Sequence, residues 1–400
     1  MSSRVQVLSL RTAEEIGREF RRIGVDSGGI EKMLPKSRFL LIKLKNIPTV
    51  VSNILKQEIL SKAGEAAVHR SVITFKTEGS DILLMGTFTV LKNFLNGLTG
   101  HYFGIPEIKS DIEKALERYT REREPWVIRE KTFDWDSRTF IMGILNITPD
   151  SFSDGGDFFN RAKAIEQGLQ MFKAGADLID IGGESTRPGS DPVTLDEELD
   201  RVIPVITGIR KQSSVPISID SYKPAVVTEA LKAGADIIND ITGGSSEEIL
   251  KIASEAGVPL IIMHMKGTPK NMQNDPVYEN LMDELIKFFH DRVEAAESLG
   301  LTKLCIDPGI GFGKRIEDNL EIIKRLDEFR IFGYPVLIGP SRKSFIGKIL
   351  GGEPKERLEG TAAAVSVSVY NNADIIRVHD VNFMAKVIKM TDAIKKDWVK

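Results

Sequence analysis

A single cysteine in 400 residues, Cys305, excludes an intrachain disulfide and any zinc site built on several thiolates. It falls in an expected strand, where a lone thiol behaves as a small buried hydrophobe. No run of about 18 apolar residues is present to span a bilayer. The first residues, Met1 to Arg11, lack the apolar core and cleavage pattern of a secretory leader. The expectation is a cytoplasmic chain with no membrane partner. Neither charge sign dominates: 54 Lys and Arg stand against 57 Asp and Glu, a net charge of −3. That balance gives no electrostatic reason to expect nucleic acid as a partner. A small anionic substrate needs no more than a local basic pocket.

What is present is a recurring pattern. Eight short apolar runs, at 139–145, 177–181, 216–219, 236–238, 258–263, 304–306, 335–338 and 374–378, are each followed by a polar cluster and a helix-length amphipathic stretch. The clusters are Asn146, Glu184 to Arg187, Asp220, Asn239, His264, Asp307, Ser341 to Lys343, and His379. Eight such units describe a parallel (β/α)8 barrel, whose chemistry sits where the strands end. The clusters are therefore expected to meet in one pocket.

The charge run Arg121-Glu122-Arg123-Glu124 ending at Pro125 marks a domain boundary. Residues 1–124 read as a small α+β domain and residues 125–400 as the barrel. In the first, 38–44, 71–76 and 81–85 look like strands, and 49–63, 88–98 and 108–119 like helices. It shows no phosphate-cradling loop, nucleophile arrangement or metal spacing, and His69 and His101 stand isolated. Residues 126–129 and 132–135 form a hairpin suited to closing the bottom of the barrel. Thr194 with Glu197, and Ser245 with Glu248, have capping-box spacing, and Pro224 suits a first helical turn. Residues 278–299 give the longest helix, with His290 beside its apolar stripe and structural. The loops Thr148–Asp157 and Glu184–Thr194 have the length and composition of functional lids.

Asp220, Asn239, Asp307 and Lys343 come from four strand ends. Buried carboxylates need partners. A structural ion pair such as Asp307 with Lys343 is one reading. The other is a planar heterocycle whose donors meet carboxylates, whose acceptors meet lysine, and whose edge meets the asparagine amide. Arg377 and His379 after the last run, with Ser341-Arg342-Lys343 after the seventh, suit the phosphate site common in barrels. Asn146 offers a neutral oxygen that phosphate oxygens and water can complete into a Mg²⁺ shell.

The stretches from Asn146 to Gly156 (NITPDSFSDGG), Gly182 to Gly189 (GGESTRPG) and Asp307 to Lys314 (DPGIGFGK) resemble those of dihydropteroate synthase. So do Met263-His264-Met265, the stretch Gly339 to Ser344, and Arg377 to Val381. They stand in family order and cover the chain from about Thr139 onward. Asp220-Ser221 replaces the more usual Asp-Thr pair. The N-terminal domain matches neither the pyrophosphokinase nor the aldolase fused to this synthase in some organisms.

The resemblance implies condensation of 6-hydroxymethyl-7,8-dihydropterin diphosphate with 4-aminobenzoate, giving 7,8-dihydropteroate and diphosphate. It implies that Asp220, Asn239, Asp307 and Lys343 hold the pterin, that Met263 is among the substrate-binding residues, and that Arg377 and His379 bind the diphosphate. It gives Asn146 to Mg²⁺, Thr186, Arg187 and Ser341 to the aminobenzoate, and Phe312 and Pro188 to its ring. Asp154 is implied as the carboxylate that stabilises a cation at the exocyclic methylene. Catalysis is thus expected from Asp154, Arg187, Lys343 and Arg377. Relatives are commonly homodimers through late helices, and the apolar faces of 362–370 and 384–394 permit this. Two rivals remain: a pterin-binding methyltransferase on the same barrel, and a non-catalytic pterin-binding scaffold. The intact Ser-Thr-Arg-Pro-Gly and Ser-Arg-Lys segments argue against the first, and the presence of Asn146, Lys343 and Arg377 against the second.

Overall fold

The computed structural model describes residues 5–10, 12–100, 104–148, 157–185, 190–272 and 274–396. Its contacts divide the chain into two units, Met1–Glu117 and Arg118–Lys400, a few residues ahead of the charge run.

In the first unit, helix α1 (Ala13–Ile23) opens on a capping box between Thr12 and Glu15. Helix α2 (Ser27–Ser37) follows, capped by Asp26. Strands β1 (Phe39–Pro48), β2 (Glu65–Val68) and β3 (Gly79–Thr87) form an antiparallel sheet in the order β1-β3-β2. Helices α3 (Thr49–Ser61), α4 (Phe88–Gly97) and α5 (Ile105–Thr120) complete it. Val51, Leu55, Ile59, Ile82, Leu84, Leu91, Phe94 and Ile112 build one core. The strand expected at 71–76 is a correction: those residues form turns, closed by Val72 N–H to His69 O and Phe75 N–H to Val72 O. Ile73 and Phe75 are exposed, and Phe75 has φ 53, so their β-prone side chains have no sheet to pack in. The strand beside β3 comes instead from the small residues of β2.

The second unit begins with the hairpin β4 (Trp126–Ile128) and β5 (Lys131–Phe133), Trp126 facing Phe133 across the pair. Eight parallel strands then form the barrel: β6 (Phe140–Asn146), β7 (Leu178–Gly182), β8 (Ile217–Asp220), β9 (Ile237–Asp240), β10 (Leu260–Met263), β11 (Leu304–Asp307), β12 (Leu337–Ile338) and β13 (Ile375–Val378). Seven neighbours pair in register, and a parallel bridge from Ile306 to Val336 closes the ring. The helices between them are α6 (Asp157–Lys173), α7 (Leu195–Arg210), α8 (Pro224–Ala233), α9 (Glu247–Ala256), α10 (Leu281–Ser298), α11 (Ile316–Lys324), α12 (Ser344–Leu350), α13 (Leu358–Tyr370) and α14 (Val381–Lys395). Thr194 caps α7 as expected. The cap of α9 is Ser246 rather than Ser245, one residue later. Asn280 caps α10, and His290 is exposed on it.

The hairpin is the barrel's floor. Trp126, Phe133 and Trp135 pack beneath Phe140, Met142, Leu178, Ile237, Ile261, Cys305, Leu337 and Ile375. These face the interior, while Ile179, Ile217, Ile238, Ile262, Ile306 and Ile376 pack outward into the large cluster beneath the helices. Side chains two positions further along a strand share its interior face. Above the apolar layer therefore come Asp180, Asp220, Asn239, Met263, Asp307 and Arg377.

A local device fixes the lower strand ends. Gly175-Ala176-Asp177, Gly234-Ala235-Asp236 and Asn372-Ala373-Asp374 immediately precede β7, β9 and β13. In each, the first residue has positive φ, 106, 113 and 71 in turn. Each aspartate takes a backbone N–H beside its own strand: Ile141 at 2.8 Å, Ile217 at 2.9 Å and Val336 at 2.8 Å. Each also meets cations: Arg138 and Lys131 at Asp177, Arg210 and Arg129 at Asp236, Arg123 at Asp374.

Candidate active site

Because the strands end together, Asp220, Asn239, Ile241, Met263, Asp307, Ile310, Phe312, Gly339, Lys343 and Arg377 line one cavity at the C-terminal mouth of the barrel. Seven of these were expected site residues. Asp180, missed in the sequence, lies beneath them, fully buried. It was hidden inside an apolar run, but its place two residues after Leu178 was the available signal.

Charge organises the floor. Arg377 reaches Asp180 with Nε at 2.6 Å and Asp220 with Nη2 at 2.7 Å. Asn239 Nδ2 donates to Asp180 at 3.1 Å, which leaves its amide oxygen as the acceptor offered to the cavity. Burial opposes the charge on Arg377, but the Asp180 and Asp220 carboxylates outweigh it and hold the guanidinium protonated. Burial, then the Asp180 carboxylate, pushes Asp220 up to about 7, against Arg377 and Lys343. Asp307 is pushed up to about 6 by burial, against the Gly309 N–H and nearby cations. The Gly309 N–H donates to its Oδ1 at 2.8 Å. Lys343 is lowered to about 8 by burial and then by Arg377.

Lys343 is aimed inward by its neighbour. Arg342 adopts a left-handed conformation, φ 58, a local cost of roughly 1–2 kcal/mol for a side chain with a Cβ. Its guanidinium is held by both oxygens of Asp380, at 3.0 and 2.5 Å, and its N–H by Thr361. The Lys343 ammonium then stands 3.9 Å from the Phe312 ring centre.

Ser341 and His379 adjoin: the hydroxyl oxygen is 3.0 Å from Nδ1 and accepts the His379 N–H at 3.3 Å. With the serine hydroxyl donating to Nδ1, Nε2 carries the imidazole hydrogen. Burial, then Arg342 and Arg377, lowers His379 to about 3. It is therefore a neutral imidazole with an Nε2 hydrogen to donate. Asn146 ends β6, half-buried. Among the described residues no group of three or more His, Cys, Asp or Glu could hold a metal ion.

The base of the Glu184–Thr194 loop is tied down. Lys223 Nζ donates to Glu184 at 2.8 Å, Glu198 at 2.6 Å and Val193 O at 2.7 Å. Glu184 also accepts from the Tyr222 hydroxyl at 2.9 Å. Asp154, Thr186, Arg187 and Pro188 lie outside the described residues. His264 is turned away from the cavity lining onto Lys314.

Such a site can hold a flat, hydrogen-bonding ring against carboxylates and lysine, with an anion above it. Residues 142–379 match the model of a pterin binding enzyme family. A dihydropteroate synthase of Synechocystis sp. is 48% identical over 274 residues, covering 68% of this chain and 95% of that protein. The structure of Xanthomonas albilineans dihydropteroate synthase with 4-aminobenzoic acid is similar with a TM-score of 0.64 at 39% identity, covering 68% of this chain and 99% of that one. A probable bifunctional folylpolyglutamate synthase/dihydropteroate synthase of Haloferax volcanii is 38% identical over 341 residues, 82% of this chain and 40% of that protein. A contiguous match of that length cannot avoid the N-terminal unit.

Proposed function

The chain belongs to the dihydropteroate synthase family, and from that premise we propose how its own residues join a dihydropterin diphosphate to 4-aminobenzoate. The observation that carries the reading is the shared cavity of Asp220, Asn239, Asp307 and Lys343. In it, Asp220 and Asp307 accept the pterin's amino and ring N–H groups, the Asn239 oxygen accepts another, and Lys343 donates to its ring acceptors. Met263 gives the ring an apolar wall, and Phe312 at the cavity edge is assigned to the aminobenzoate ring.

Arg377 balances the two carboxylates under the ring and presents positive charge to the diphosphate, while neutral His379 donates from Nε2. The C–O bond to the leaving diphosphate breaks as those oxygens gain charge. The electron-rich pterin spreads the resulting positive charge from its exocyclic methylene, with Asp154 assigned to stabilise it. The arylamine nitrogen then forms the C–N bond and gives up a proton. It is nucleophilic at neutral pH, so no activated serine or cysteine is required. Thr186, Arg187, Pro188 and Ser341 are assigned to the aminobenzoate by the family resemblance.

Mg²⁺ is part of this proposal. Asn146 supplies one neutral oxygen at the end of β6, and substrate phosphate and water would complete the shell of the ion. When bound it would neutralise diphosphate charge. We also assign catalysis to the barrel, residues 125–400, in a cytoplasmic setting. We further propose a homodimer, supported by the exposed apolar residues Val367 on α13 and Phe383, Met390 and Ile394 on α14.

The test incubates the purified chain with dihydropterin diphosphate, 4-aminobenzoate and Mg²⁺ and measures both products. Equal release of diphosphate and dihydropteroate, lost in Lys343→Ala, is the expected result. Pterin binding with neither product would overturn it.

A further inference from the structure

Lys314 has no part in the reaction just described, yet its side chain is 3% exposed. A buried ammonium must find acceptors or lose its charge. This one has three: His264 Nδ1 at 3.0 Å, the Phe312 carbonyl at 3.0 Å and the His264 carbonyl at 3.3 Å. Burial lowers Lys314 to about 7, against the Asp307 and Asp318 carboxylates. It holds the His264 imidazole further down, at about 2, so His264 accepts and the proton stays on Lys314.

These contacts join two irregular segments that leave the ends of β10 and β11. The segments meet backbone to backbone. A Cβ on Gly309 would stand 1.9 Å from the His264 carbonyl oxygen, and one on Gly313 would stand 2.3 Å from that of Lys266. The far side of the β11 segment touches Lys343, since a Cβ on Gly311 would come within 2.9 Å of its Cδ. The segment is thus a wedge between the end of β10 and Lys343, with the Phe312 ring at its edge 3.9 Å from the Lys343 ammonium. Both the Phe312 and the His264 carbonyls at that junction need a donor, and Lys314 supplies it.

We propose that Lys314 is a positioning residue: its ammonium gathers the carbonyls of His264 and Phe312 and so fixes the Phe312 ring as the seat of the Lys343 ammonium. What Lys343 then does rests on the synthase reading, but the chain of contacts from Lys314 to Lys343 does not.

That independence shapes the experiment. Protons above the face of an aromatic ring are shielded, so the ε-CH₂ resonance of Lys343 in the substrate-free protein reports the ring beneath it. It is assigned by its absence in Lys343→Arg. In wild type it is expected upfield of the other lysines, and in Phe312→Leu it moves to the ordinary position. Lys314→Met should move it the same way, and Phe312→Leu/Lys314→Met should move it no further than either alone. A folded Lys314→Met with an unchanged Lys343 resonance overturns the proposal. So does a double variant whose displacement is the sum of the two. If Lys314→Met gives no native melting transition, Lys314→Gln, whose amide ends one bond short of the ammonium and cannot span both carbonyls, is read the same way; a displaced Lys343 resonance supports the proposal and an unchanged one overturns it. A wild-type chain with the shielded resonance but no dihydropteroate product would instead count against the synthase reading.

Discussion

Arg377 Nε lies 2.6 Å from Asp180 Oδ2, and Asp180 is completely buried. The pair makes one carboxylate the counter-ion of the residue assigned to diphosphate, and leaves Asp220 to share what charge remains. Removing one member of a buried pair strands the other, at a cost of about 3–5 kcal/mol. Asp180→Asn should therefore lower the denaturation midpoint of the free protein and reduce kcat/KM for the pterin diphosphate by at least tenfold. Unchanged midpoint and kinetics would show that the pair matters to neither.

The pH dependence of pterin binding should be bell-shaped. Asp307 at about 6 and Asp220 at about 7 must be ionised to accept N–H groups, so affinity rises through that range. Lys343 at about 8 must keep its proton to donate, so affinity falls above it. The limbs belong to the coupled group and not to single residues. Calorimetric titration from pH 5 to pH 9.5 checks this, and Lys343→Met should abolish the alkaline limb.

At the barrel floor the sign is opposite. Burial would raise Asp177, but Arg138 and Lys131 outweigh it and hold its carboxyl below the usual range. A group with a lowered folded pKa contributes stability above its unfolded pKa, about 3.9, and loses it as pH falls through the folded value. Wild type should hold its stability at pH 5 and above and lose it below about 4. Asp177→Asn should be less stable at pH 7 and show a flatter acid limb in urea unfolding.

Chelating divalent metal should reduce kcat/KM at least tenfold while binding of a pterin lacking the diphosphate stays within about twofold. Asn146→Ala should raise the Mg²⁺ concentration needed for half-maximal rate. Equal loss of kcat/KM and of pterin binding on chelation would place the metal elsewhere.

Met390→Lys/Ile394→Lys on α14 should halve the mass seen in sedimentation, if these exposed residues form a dimer seam as proposed. A wild type that sediments as a monomer removes that part of the proposal.

The barrel was legible because its strands are short, apolar and regularly spaced, and each of the eight runs overlaps its strand within one or two residues. Asp220, Asn239, Asp307 and Arg377 were legible because the period of a strand sends its last residues to the mouth, and Lys343 because it lies in the loop just past the seventh run. What escaped depends on contacts between distant segments. Asp180 was absorbed into an apolar run, although alternation with Leu178 turns it inward. The pairing of Lys314 with His264 joins residues 50 apart, and no local pattern announces it. In the first unit, Val72 to Phe75 has the composition of a strand, but β3 already has its neighbours in β1 and β2.

The three aspartates that precede β7, β9 and β13 decide where this molecule can give. Each ties a strand's start to its neighbour and to cations beneath it, so the base resists splaying from at least three sides. Any adjustment to an arriving substrate is left to the rim, where the strands have ended. Recognition can then be slow or fast, tight or loose, without the sheet changing register. Substitutions that tune the rim should leave the melting behaviour of the base nearly untouched, which gives the site room to change its preference while the scaffold stays the same.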